Sequence, residues 1–88
     1  MKTIVVGSLE SSDCLITLQP NENTEINIES TVFAMYGEQI QKVLTDTLKA
    51  HNIENIHVLC QDKGALDYTI EARLITAIKR FKEAKDES

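Results

Sequence analysis

The chain reads as an α+β domain: a two-layer sandwich with a mainly antiparallel sheet of about four strands and two helices on one face, in β-β-β-α-β-α order. Three observations predict it. Short β-prone runs with alternating polarity fill the N-terminal third. Two longer segments carry apolar residues at three- and four-residue spacing, the period of a helix lying on a sheet. One further alternating run separates those segments, so a helix can carry the chain back across the sheet by a right-handed crossover.

The elements follow in order. Thr3-Ile4-Val5-Val6 is β-prone, and Cys14, Ile16 and Leu18 share one face of a second strand. Pro20-Asn21-Glu22-Asn23 has turn composition. Glu25-Ile26-Asn27-Ile28-Glu29 alternates strictly, with its isoleucines inward. The links between these three strands are too short for a parallel crossover, so they are expected to be antiparallel neighbours. A helix is predicted from about Thr31 to Ala50, with Val32, Tyr36, Ile40, Val43, Leu44 and Leu48 as its stripe. Ser30 or Thr31 is its expected N-cap. Gly37 weakens it by roughly 1 kcal/mol against alanine, which suggests a close approach to the sheet or an irregular first turn. His51-Asn52 ends it. Ile56, Val58 and Cys60 then share a strand face, and Asp62-Lys63-Gly64 turns. Asp67 is the expected cap of the last helix, whose stripe is Ile70, Leu74, Ala77, Ile78 and Phe81. Lys79, Arg80 and Lys82 suit its negative C-terminal end. Residues 1–88 are expected to form one domain, with 85–88 fraying.

Bulk properties exclude several functions. Nine basic against 14 acidic residues give a net charge of −5, which repels phosphate backbones and disfavours nucleic acid. The same charge suits docking onto basic patches of proteins. The chain has neither an apolar run of membrane length nor a secretory signal, so the expected location is the cytoplasm. Cys14 and Cys60 are far apart, and His51 and His57 have no ligand spacing with them. Two reduced, buried thiols are expected, and no metal site.

An enzyme is disfavoured. Ser11 and Ser12 have no neighbouring histidine in sequence, and the chain lacks a nucleophile elbow, a dinucleotide-binding glycine pattern and a phosphate-cradling loop. His57 alternates outward between Ile56 and Val58, as a solvated strand residue would. A carrier needs less: an exposed serine on a loop that a modifying enzyme can grip. Glu10-Ser11-Ser12-Asp13, between the first two strands, meets that demand. Taken by residue type alone it reads first as a polar turn between two strands, since Ser and Asp are what turns use.

Two stretches carry a resemblance. Gly7-Ser8-Leu9-Glu10-Ser11-Ser12-Asp13 resembles the first signature of the citrate lyase acyl carrier protein family, the gamma subunit of that enzyme. Asp62-Lys63-Gly64-Ala65-Leu66-Asp67, continuing through Ala72-Arg73-Leu74, resembles the second. Val32, Tyr36-Gly37 and Ile40 fit the family's aromatic-glycine helix pattern between them. The likeness runs from about residue 7 to residue 80. Val6 departs from a common alanine, and Tyr68 from a small residue.

The resemblance implies that Ser11, the serine after Leu9-Glu10, carries phosphoribosyl dephospho-coenzyme A through a phosphodiester bond. The thiol of that group holds acetyl. An alpha subunit, the acyl-carrier transferase, exchanges acetyl for citryl and releases acetate. A beta subunit, the citryl-carrier lyase, releases oxaloacetate and regenerates the acetyl form. A prosthetic-group transferase installs the group, and the chain itself has no catalytic residue. Ser12 is the rival attachment point. Glu10, Ser12 and Asp13 are expected to serve recognition or turn geometry. For Asp62, Leu66 and Asp67 the structural reading is turn, core and helix cap, with docking by Lys63 or Arg73 ranked below it. The alternatives are the acyl carrier of malonate decarboxylase and an acidic α+β interaction domain without a prosthetic group.

Overall fold

The computed structural model describes residues 3–86. The elements are β1 (Ile4–Gly7), β2 (Cys14–Pro20), β3 (Glu25–Ser30), α1 (Phe33–Ala50), β4 (Ile56–Asp62) and α2 (Asp67–Asp86). They form one four-stranded sheet in the order β1-β2-β4-β3. β1 pairs antiparallel with β2 and β2 antiparallel with β4, whereas β3 runs parallel to β4. The α+β class, the element order and the mainly antiparallel sheet are as expected.

One adjacency is not. β2 and β3 are not neighbours, because β4 lies between them. Four residues, 21–24, step over the start of β4. Two strand spacings are only about 10 Å, which four extended residues reach easily. The step is pinned at Asn55: Asn21 donates to its carbonyl, and its amide donates to Thr24 Oγ1. The composition of the strands explains the choice. β4 alternates buried residues with half-buried ones, whereas β3 exposes Glu25, Asn27 and Glu29 and tolerates an edge.

The helices cover one face. Cys14, Ile16 and Leu18 of β2 and Ile56, Val58 and Cys60 of β4 meet Ile40, Leu44 and Leu48 of α1 and Ile70, Leu74, Ala77 and Ile78 of α2 in a single buried core. Ile26, Ile28, Val43 and Phe81 pack at its margin. α1 differs from expectation at its start. Its N-cap is Val32, with no side-chain cap. The Ser30 hydroxyl instead donates to Asp62 and accepts from the Val32 amide. Tyr36 is exposed. Gly37 serves α1's own first turn: a Cβ there would lie 2.8 Å from the Phe33 ring.

The far end of α1 closes as its sequence suggests. Asn52 takes a left-handed φ of 54°. Its amide bonds Lys49 O and that of Ile53 bonds Leu48 O, the paired pattern that satisfies last-turn carbonyls. Lys82 donates to the carbonyl of His51, so one of the α2 cations serves the end of α1. At the start of α2, Leu66 O accepts from Thr69 and Ile70, and Leu66 is exposed rather than core. Asp67 is the first helical residue, and its carboxylate accepts from Gln39 of α1 instead of capping α2. α2 continues to Asp86, so residues 85 and 86, expected to fray, are helical, and the rest of that expectation, 87–88, lies outside the described residues.

Candidate functional site

The serine loop and the second signature meet at one end of the sheet. β1 ends there and β2 begins there, with Gly7 opposite Leu15. β3 and β4 also end there, with Ser30 and Cys14 both opposite Asp62. The loop opens at Gly7, whose φ of 106° favours glycine and where a Cβ would overlap the Cys14 carbonyl. The Ser8 amide donates to that same carbonyl. The Asp13 amide donates to Glu10 O at 3.1 Å, which makes Glu10–Asp13 a turn with Ser11 and Ser12 at its centre.

Asp13 fastens the loop. Oδ1 accepts from the Cys14 amide at 2.7 Å and from Arg73 Nε at 3.0 Å. Oδ2 accepts from the Ser8 hydroxyl at 2.7 Å and from the second guanidinium nitrogen at 3.1 Å. Arg73 thus grips the carboxylate with two nitrogens, a geometry lysine cannot copy. The hydrogen bonds from Arg73, Ser8 and the Cys14 backbone hold the Asp13 carboxyl down at about 2. The Ser8 hydroxyl also accepts from the Glu10 amide. Of the serines at 8, 11 and 12, Ser8 is therefore built into the loop.

Ser11 and Ser12 are both exposed, and neither hydroxyl makes a hydrogen bond among the described residues. Their backbones differ. Ser12 adopts a left-handed φ of 65°, a conformation that costs a serine about 1 kcal/mol. It is held there because its amide donates to Lys63 O at 2.8 Å, while the Lys63 amide donates to Asp13 O at 2.9 Å. Glu10 is exposed at the edge of the turn.

These two backbone bonds join the first signature to the second. Asp62 then organises the second. Expected in a turn, it is instead the last residue of β4 and 1% exposed. Its carboxylate accepts from the Ser30 hydroxyl and from the amides of Gly64 and Ala65, and its carbonyl accepts from Thr31. One buried residue therefore ties the end of β3 and the 63–65 loop together through its side chain and holds the approach to α1 through its carbonyl. Leu9 folds over this corner, and with Glu29, Ser30, Thr31, Gln61, Asp62 and Lys63 it lines an open cleft of about 280 Å³.

The sequence places Glu10, Ser11, Ser12 and Asp13 on one loop, but it reveals neither the Asp13–Arg73 pair nor the full role of Asp62. The pair spans 60 positions and leaves no local pattern. Asp62 did leave one: an Asp two residues before a Gly suits a side-chain-closed turn. His51 and His57 lie at the opposite end of the sheet from the serines. His57 Nε2 sits 2.7 Å from Asn27 Nδ2. Cys14 and Cys60 are free and fully buried on adjacent strands. The neighbouring Cys14 thiol, and then burial, push the Cys60 thiol well above its ordinary range, so it stays protonated. Among the described residues no group of three or more His, Cys, Asp or Glu could hold a metal ion, and no helix is long and apolar enough to cross a membrane.

Comparison with known proteins fits this geometry to a class. A family model described as malonate decarboxylase delta subunit matches residues 1–81. A protein of Lactobacillus helveticus named citrate lyase acyl carrier protein is 47% identical over 96% of this chain and 88% of its own. One of the same name from Lactiplantibacillus plantarum is 49% identical over 92% of this chain and 85% of its own. A third, from Halothermothrix orenii, is 37% identical over 98% of this chain and 93% of its own. No solved structure matches. The small α+β fold with an exposed serine turn, together with these matches, defines an acyl carrier protein. Within that class the chain belongs to the citrate lyase acyl carrier protein family, as the similarity along nearly its full length requires.

Proposed function

We propose that this chain is the acyl carrier subunit of citrate lyase and that Ser11 bears its prosthetic group, phosphoribosyl dephospho-coenzyme A, through a phosphodiester bond. The observation that supports this most is the contrast within one loop: Ser8 is bonded into it, whereas Ser11, like Ser12, presents an exposed, unengaged hydroxyl, and the family's register, a serine directly after Leu9-Glu10, favours Ser11. Such a hydroxyl suits a group installed by a separate transferase, which brings its own base. When attached, the group supplies a terminal thiol that holds the acyl substrate as a thioester during cleavage of citrate to acetate and oxaloacetate.

The chain's own residues do the holding. Asp13, Arg73 and Ser8 keep the turn in one shape, and the bonds to Lys63 brace it against the end of the sheet. A rigid base and a tethered arm replace diffusion by a high effective concentration at two partner sites. The partners on this reading are the alpha and beta subunits, which perform the two steps, so the carrier is not itself catalytic and works in the cytoplasm. The description of the matched family model supports a second reading, the carrier of malonate decarboxylase. The names of the relatives favour the first.

Intact mass and peptide fragmentation, after co-expression with the prosthetic-group transferase, test the assignment. The expected result is an adduct on Ser11 that is lost in Ser11→Ala and kept in Ser12→Ala, with the melting temperature unchanged. An adduct on Ser12 would move the site by one residue. An unmodified chain would overturn the reading. Reconstitution with each enzyme's own subunits separates citrate lyase from malonate decarboxylase.

A further inference from the structure

Six large apolar side chains are exposed at the end of the sheet that bears the serine turn: Leu9, Phe33, Met35, Tyr36, Leu66 and Tyr68. Two of these positions, Tyr36 and Leu66, have a common cause. The buried stripe of α1 runs through Ile40 and Leu44, and Tyr36 continues it one turn beyond the sheet. Leu66 likewise precedes Ile70 by four residues on the stripe of α2. Both helices therefore carry their apolar faces past the layer that covers them. The hydrogen bond from Gln39 to Asp67 holds the two overhanging ends together. Aromatic and methionine side chains grouped this way are the composition of an interface centre, not of an ordinary surface.

Charge says what chemistry meets it. Glu10, Glu29, Glu38, Asp67 and Glu71 are exposed around this end, against the exposed ammonium of Lys63. Arg73 is already committed to Asp13. Towards the other end the exposed cations Lys49, Lys79, Arg80 and Lys82 are balanced by the exposed carboxylates of Glu22, Glu25, Glu54 and Glu83, so the net negative charge gathers at the serine end. The molecule is thus polarised, with an apolar centre and an acidic rim around the serine turn.

We propose that this end is the docking surface for the enzyme subunits that act on the carried acyl group, and that the partner presents an apolar pocket with a rim of lysine or arginine. The inference rests on the carrier reading above and adds the surface and the partner's chemistry to it. Phe33, Tyr36, Leu66 and Tyr68 supply the apolar contact. The acidic rim supplies orientation and speed of encounter, which salt weakens.

The test uses the chain first loaded on its serine, then acetylated on the group's terminal thiol and verified by mass, and titrated into purified alpha subunit with citrate present, the release of acetate being measured. Three variants probe the surface: Phe33→Ser with Tyr36→Ser, Leu66→Ser with Tyr68→Ser, and Met35→Lys. Met35 is 77% exposed, so its replacement leaves the fold intact even if a double variant does not fold. The expected result is a half-saturating carrier concentration raised roughly tenfold, equivalent to about 1.4 kcal/mol, with little change in maximal rate. Higher ionic strength raises it further for the wild type. Val5→Ser, exposed on the sheet face away from the helices, leaves it unchanged. Unaltered half-saturation in Met35→Lys and in the folded double variants, with the adduct in place, overturns the docking surface and leaves the carrier reading standing. If instead the variants change only the reactivity of the carrier's own thiol, the arm covers the patch and the proposal fails. A wild-type chain that takes no adduct overturns both.

Discussion

Asp13 is the residue on which the serine turn depends. Its folded carboxyl titrates at about 2 rather than its ordinary 3.8. A depressed folded value means that the carboxylate stabilises the fold above about pH 4 and loses that contribution as pH falls towards 2. Asp13→Asn is therefore expected to melt several degrees below wild type at neutral pH, with the gap closing near pH 2. Thermal melts across that range check it, and a gap independent of pH would show that charge is not the cause. Arg73→Lys should reproduce part of the loss, because an ammonium cannot supply both bonds. Sequence made Asp13 a turn residue and left Arg73 between structure and docking. Only the approach of α2 to the loop makes them partners, since residues 60 positions apart meet through the fold and not through any local pattern.

At the scale of elements, the joint between β3, β4 and their helices turns on Asp62. Its carboxylate accepts three hydrogen bonds while 1% exposed, so Asp62→Ala leaves three part-buried donors unpaired and a cavity in their place, and is expected to cost about 3 kcal/mol. Ser30→Ala removes one of those bonds and should cost about 1 kcal/mol. Chemical denaturation measures both, and equal costs for the two variants would contradict the role given to Asp62. Much of each element was legible. The stripe of α2 and the termination of α1 at Asn52 follow from spacing and from the tolerance of Asn for left-handed backbone. The starts of both helices were not. Ser30 and Asp67 look like caps, but each side chain is drawn to another element, Ser30 to Asp62 and Asp67 to Gln39. Tertiary partners outbid local ones there, and no propensity registers them.

Across the whole molecule, the sheet order sets the distribution of stability. β2 and β4 are paired on both sides, whereas β1 and β3 are edges. Amide exchange should be slowest at Ile16, Leu18, Val58 and Cys60 and fastest, within the sheet, along β1. Residue-resolved exchange by NMR checks this, and equal protection in β1 would argue against the assigned order. What the sequence determined by itself is the set of elements, the faces they bury and the loop that exposes the serines. Those follow from period, turn chemistry and composition, which act over a few residues. What the tertiary structure decided is the order β1-β2-β4-β3, the union of two distant signatures at one end, and the apolar overhang beside the serine turn. Each of these depends on which apolar faces can share one core, and that is settled only when all six elements compete for the same layer.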